Sequence, residues 1–148
     1  MPGQCGRIAS VNISDLKGEK KRQVGSAHLQ AGHGLDHDAH AGAWHRQVSL
    51  LAQESIDKIR SAGLDVDCGD FAENLTTTGI ILHTLPIGTR FKIGDQVVLR
   101  LTQIGKECHA RCAIFKQVGD CVMPREGVFT EVLEGGEIRV GDIIEVID

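Results

Sequence analysis

Three of the chain's five cysteines fall within fourteen residues, Cys108, Cys112 and Cys121, and His109 stands beside the first. Four residues apart on a helix would put Cys108 and Cys112 on one face. A structural zinc site needs a second hook of cysteines or histidines, and the sequence supplies one hook only. There is no Cys-x-x-Cys pair of the thioredoxin type. Cys112 is followed by Ala113 and Ile114 and reads as a small buried side chain. Cys108 differs. It follows the polar stretch "IGKE" after a predicted strand, where a short helix is expected to begin, and Lys106 is two residues away. A helix N-terminus and a neighbouring cation both favour thiolate over thiol. Such a thiolate suits a nucleophile, a persulfide carrier or a ligand to a soft metal. Cys121, in the turn-like "GDCVMPREG", is the rival for that role.

The second cluster is "AGHGLDHDAHAGAWHR", residues 31–46, which carries His33, His37, His40 and His45 with no periodicity. A loop this long between patterned neighbours points to function. Histidines three to five apart are compatible with metal ligation, with anion binding, or with a loop held by its own hydrogen bonds.

The elements that must position these clusters are mostly strands. Ile8, Val11 and Ile13 mark an early strand, and residues 23–30 suit a second. Between them "DLKGEKKR", Asp15 to Arg22, reads as a solvated turn whose basic run could also meet a phosphate. The segment "VSLLAQESIDKIRSAG" spaces Leu50, Leu51, Ile56 and Ile59 near helical period and stops at Gly63, which predicts the longest helix from Val48 to Ala62. Short apolar runs at Ile80 to Leu82, Arg90 to Ile93 and Val97 to Thr102 read as strands. "FKIGDQVVLRL" and "IRVGDIIEVID" share an apolar residue, Gly-Asp and a following strand, so each predicts a tight turn between antiparallel strands. Short helices are expected over His109 to Lys116 and within "PREGVFTEVLEGG". The sum is a mainly β fold, a small barrel with one or two flanking helices, in a single domain spanning residues 1–148.

The totals set limits. With 148 residues, 41% hydrophobic and a formal charge of −4, the chain is an ordinary globular sequence and a poor match to nucleic acid. No run approaches a membrane span, and no leader-like segment opens the chain, so cytoplasmic, reduced cysteines are expected.

The motif order "DAHAGAWHRQVSLL", "FAENLTT", "LPIGTRFKIGDQVVLRLTQIGKECH" and "GDCVMPREGVF" resembles the MOSC family, named after the C-terminal domain of molybdenum cofactor sulfurases, in its small stand-alone bacterial form. The similarity runs from about Gly6 to Val146. It implies a β-barrel like that of pyruvate kinase, with a cysteine that ligates molybdenum in the reductase members. By register that cysteine is Cys108, both catalytic thiol and metal ligand. The resemblance also implies cofactor-binding roles for His40, His45 and Arg46 in the phosphate- and pterin-facing loop, and for Asn74 and Thr76 in and after the "FxxNL" block. The implied cofactor is molybdopterin-bound molybdenum, and the implied partners are cofactor-biosynthesis or sulfur-donor proteins. Pyridoxal phosphate finds no support. The family pattern has Gly-Asp where this chain has His37-Asp38, and the N-terminal barrel of the reductases is absent. Three functions remain open here: a molybdenum-cofactor binder, a persulfide carrier delivering sulfur to a metal centre, and a barrel-shaped interaction module.

Overall fold

In a computed structural model, residues 4–16, 20–105 and 126–147 are described. The chain order is β1 (Cys5–Ile13), β2 (Arg22–Gln23), β3 (Ser26–Gln30), β4 (Gly34–Leu35), β5 (Val48–Ala52), α1 (Gln53–Ser61), β6 (Leu75–Thr78), a 3-10 turn (Leu82–Thr84), β7 (Arg90–Ile93), β8 (Val97–Ile104), β9 (Val128–Glu134), β10 (Gly136–Arg139) and β11 (Ile143–Val146). Seven strands, in the order β11-β7-β8-β9-β5-β6-β1, close into a barrel through a β1–β11 pairing. Closure removes the exposed edges that an open sheet of this size would present. β2 extends β1, and β10-β3-β4 form a separate three-stranded sheet.

All barrel pairs are antiparallel except β5–β6, which run parallel with Leu50 opposite Leu75. A parallel pair needs a crossover, and α1 is part of it. This explains the largest departure from the sequence pattern. The predicted helix from Val48 to Ala62 is a strand for its first five residues, and every one of them is buried. Val48 and Leu50 face the barrel interior with Phe91, Leu99 and Ile144, while Leu51 faces a second cluster with Ile56, Ile59, Val66, Phe71 and Phe129. A strand buried on both faces loses its alternation and reads like the start of a buried helix. Each of these apolar side chains contributes about 1.5–3 kcal/mol on burial.

Where β1 crosses β6 the backbones meet so closely that a Cβ on Gly6 would lie 1.7 Å from the Thr78 carbonyl oxygen. Only glycine fits there.

Three other expectations are corrected. Ile80 to Leu82 is not a strand, and its last residue opens the 3-10 turn; the strand on that side is β6, which begins within the "FAENLTT" block. In "PREGVFTEVLEGG" Glu126 is helical, but Val128–Glu134 is β9. Gly94-Asp95 does join the antiparallel pair β7–β8. Gly141-Asp142 instead passes the chain between sheets, because β10 pairs with β3 and β11 with β1 and β7. The predicted helix at His109 to Lys116 lies outside the described residues. Among the described residues, no helix is long and apolar enough to cross a membrane.

Candidate functional site

The loop over residues 31–46 is tied down by backbone hydrogen bonds at both ends. Gly32 N–H donates to Val132 and Asp36 N–H to His28; Ala39 N–H reaches Ser14 and Gly42 N–H returns to His33. His37 has φ +66°, the left-handed region that glycine occupies most readily. The resemblance implied a glycine at this position, and the chain places an L side chain at that backbone angle.

Immediately after His37, Asp38 turns inward. Lys21 Nζ lies 2.8 Å from Asp38 Oδ1, and both side chains are fully shielded from solvent. This overturns the solvated reading of the basic turn at Lys21. The ammonium also contacts Ser14 Oγ and His40 Nδ1, each at 2.9 Å. The Lys21 backbone is fixed by its N–H to the Gly69 carbonyl at 2.8 Å. A Cβ on Gly69, at φ +90°, would lie 2.2 Å from the Lys21 carbonyl oxygen. Burial alone raises the Asp38 carboxyl; the hydrogen bonds from Lys21 and Asn74, the Lys21 charge and the Ser14 N–H outweigh it and hold it below its ordinary value.

Asn74 and Thr76 lie in the same polar layer, both fully buried. The Asn74 carboxamide oxygen accepts from Ser49 N–H at 3.0 Å and Ser49 O–H at 3.2 Å, and its NH2 donates to the Asn12 carbonyl at 3.2 Å. Asn74 thereby stitches β1 to β5 just ahead of β6. Thr76 accepts from Asn12 Nδ2 at 3.3 Å and donates to Glu73 Oε2 at 2.7 Å. Glu73 also accepts the Gly69 N–H at 3.0 Å, while its Oε1 is buried without a hydrogen-bond partner. Burial pushes this carboxyl up to about 6.

His45 and Arg46 meet elsewhere, at the end of β8. A register shift between Leu101 and Gln103 marks a bulge in the β8–β9 pairing. Bulges re-aim side chains, and here Thr102 bonds to the carbonyl oxygens of His45 and Phe129. Gln103 donates to the Gly105 carbonyl, which leaves its Oε1 to accept from Arg46 Nε at 3.1 Å and to contact His45 Nε2 at 2.8 Å. The Arg46 guanidinium sits 5.0 Å from the Phe129 ring centroid, a cation–π arrangement that leaves the charge on a half-open rim.

The five candidate residues therefore form two groups. His40, Asn74 and Thr76 belong to the interior polar layer; His45 and Arg46 share the rim at Gln103. Trp44 lies between them, its ring parallel to His40 at 6.4 Å and edge-on to His45 at 6.0 Å. Sequence reasoning missed Lys21, Asp38, Asn12, Ser49, Glu73 and Gln103. The one available signal was Trp44, the chain's single tryptophan, standing inside the histidine loop.

Cys108, Cys112, Cys121, Lys106 and His109 lie outside the described residues. Of the two described thiols, Cys5 is exposed and Cys68 half-buried. Desolvation and the charges of Glu73 and Asp67 push the Cys68 thiol up, which keeps it protonated and a poor nucleophile. Among the described residues no three His, Cys, Asp or Glu side chains gather as a metal site.

A family model described as MOSC domain matches residues 37–145. In fold, the chain is similar to the YuaD protein from Bacillus subtilis, with a TM-score of 0.80 and 18% identity over 99% of this chain and 98% of that one. It is similar also to YiiM from Geobacillus stearothermophilus, with a TM-score of 0.70 and 18% identity over 97% of this chain and 75% of that one. YiiM from Escherichia coli gives 0.68 and 18% over 97% and 70%. At such identity the likeness is one of fold. No curated protein matches the chain.

Proposed function

The chain belongs to the MOSC domain family, and on that premise we propose that it binds the molybdenum cofactor, with Cys108 as the thiolate ligand of molybdenum. The domain then either hands the cofactor on or holds it as a component of a reductase. Molybdenum held by a pterin dithiolene is soft enough to favour a protein thiolate over oxygen ligands, and it would supply the redox and sulfur chemistry.

The observation that carries the reading is the rim at the end of β8. Arg46 and His45 converge on Gln103 there, five residues before Cys108 in the sequence. A cofactor with a phosphate and a polar pterin needs cationic and N–H donors beside a soft ligand, and this donor set fits that need. Arg46 and His45 would hold the anionic and carbonyl oxygens. His40 would add a donor from the Trp44 side. Asn74 and Thr76, whose side-chain groups are engaged with Asn12, Ser49 and Glu73, would act from behind by fixing the strands that carry the loop.

The test is anaerobic purification followed by molybdenum and pterin analysis. Both should be present in equal amounts and both should fall in Arg46→Ala. Sulfane sulfur on Cys108 without pterin would favour the persulfide carrier instead, and neither would leave the interaction module.

A further inference from the structure

The buried cluster at Lys21 fixes where its protons must go. An ammonium has three protons, and three acceptors stand around Lys21 Nζ: Asp38 Oδ1 at 2.8 Å, Ser14 Oγ at 2.9 Å and His40 Nδ1 at 2.9 Å. Ser14 O–H donates to the Leu16 carbonyl at 3.0 Å, so its oxygen turns a lone pair to the ammonium. Asp38 is an anion that also accepts Ser14 N–H at 3.0 Å and His40 N–H at 3.0 Å. In the opposite tautomer the Nδ1–H would point at the ammonium itself, which has no lone pair to accept it, and Asp38 at 3.9 Å is beyond a hydrogen bond. The Nδ1 must therefore accept, and the ring proton must sit on Nε2.

We propose that Lys21 is a positioning residue that locks His40 in the neutral Nε2–H tautomer. The ring plane is held by the same surroundings: Trp44 lies parallel to it at 6.4 Å and donates its indole N–H to the His40 carbonyl at 2.7 Å. The chemical consequence is a change of role for this histidine. With Nδ1 occupied by an ammonium and Nε2 protonated, the ring offers no lone pair to a metal. It offers an N–H donor, suited to a phosphate or carbonyl oxygen. The tautomer follows from the cluster alone; only its use toward a cofactor oxygen rests on the function proposed above.

Two-bond 1H–15N correlation spectra of the 15N-labelled, cofactor-free chain at neutral pH test this directly, because they distinguish pyridine-type from pyrrole-type ring nitrogens. The His40 signals are identified by their loss in His40→Gln. The expected pattern is pyridine-type Nδ1 and pyrrole-type Nε2. A pyrrole-type Nδ1, or two averaged shifts, overturns the proposal. The double variant Lys21→Met/Asp38→Asn removes the donor without leaving a buried lone charge, and its His40 shifts should move toward the average. The double variant Lys21→Gln/Asp38→Asn, whose glutamine amide can still donate, should restore the original pattern. Unchanged shifts in a folded double variant would remove Lys21 from the role. Should that variant not fold, the unmodified protein still decides, since a pyrrole-type Nδ1 cannot accept from Lys21. None of these outcomes depends on whether the chain binds molybdenum.

Discussion

Asp38 and Glu73 are two carboxylates in one polar layer, joined through Asn74 and Asn12, and burial acts on them in the same direction. Asp38 is 7% exposed and Glu73 0%. Yet Asp38 is held below its ordinary value while Glu73 is pushed up to about 6. The difference is the cation. Asp38 has Lys21 at 2.8 Å; Glu73 takes its hydrogen bonds from the neutral Gly69 N–H and Thr76 O–H, and one oxygen has no partner. Depth does not decide whether a buried acid keeps its charge. Its partners do.

The harshest way to break the comparison is to make Asp38 resemble Glu73 by removing its cation. Lys21→Met leaves an uncompensated buried carboxylate, and such losses amount to about 3–5 kcal/mol. Urea denaturation should show a loss of that size, partly recovered by adding Asp38→Asn.

A smaller effect comes from pH. The native pKa of Glu73 lies above its unfolded value, so the folded state holds the proton more tightly. Its contribution to stability is therefore fully present below the ordinary glutamate range and is lost as pH rises through about 6. The span amounts to about 2 kcal/mol between roughly pH 4.5 and 6. Asp38 works the other way, and its stabilisation is lost as pH falls through its lowered native value. Chemical denaturation at several pH values should show the gain on mild acidification, and Glu73→Gln should flatten it while the Asp38 loss at lower pH remains.

The smallest effect concerns the backbone that delivers Asp38 to Lys21. His37 occupies φ +66°, a conformation that costs a non-glycine residue about 1 kcal/mol. His37→Gly should raise stability by less than that, because added freedom in the unfolded chain offsets part of the relief. Thermal unfolding would measure it, and a destabilised variant would mean the His37 side chain contributes contacts of its own.

These residues also show where the sequence was legible. The barrel was, because β7 and β8 are short apolar runs bounded by glycine turns and a mostly antiparallel closure follows from them. β5 was not, because burial on both faces erased its alternation. The loop over residues 31–46 stood out by its histidines, and its left-handed residue by the expectation of a glycine at His37. Lys21 was hidden inside a charged run whose usual fate is solvent, and its partner Asp38 lies 17 residues on. Asn74 could be marked from the motif, but its bonds to β1 and β5 depend on strand neighbours that no local pattern specifies.

The central claim, that Cys108 is the thiolate through which this domain holds molybdenum, is tested most directly by exchanging single cysteines. Cys108→Ser and Cys121→Ser, purified anaerobically beside the unmodified chain, should be assayed together for molybdenum, pterin and sulfane sulfur. A serine hydroxyl is a hard and mostly protonated ligand in place of a soft one. Cys108→Ser should therefore lose molybdenum while remaining folded, and Cys121→Ser should retain it. Full loading of Cys108→Ser together with loss in Cys121→Ser would contradict the assignment and move the functional thiol thirteen residues along the chain.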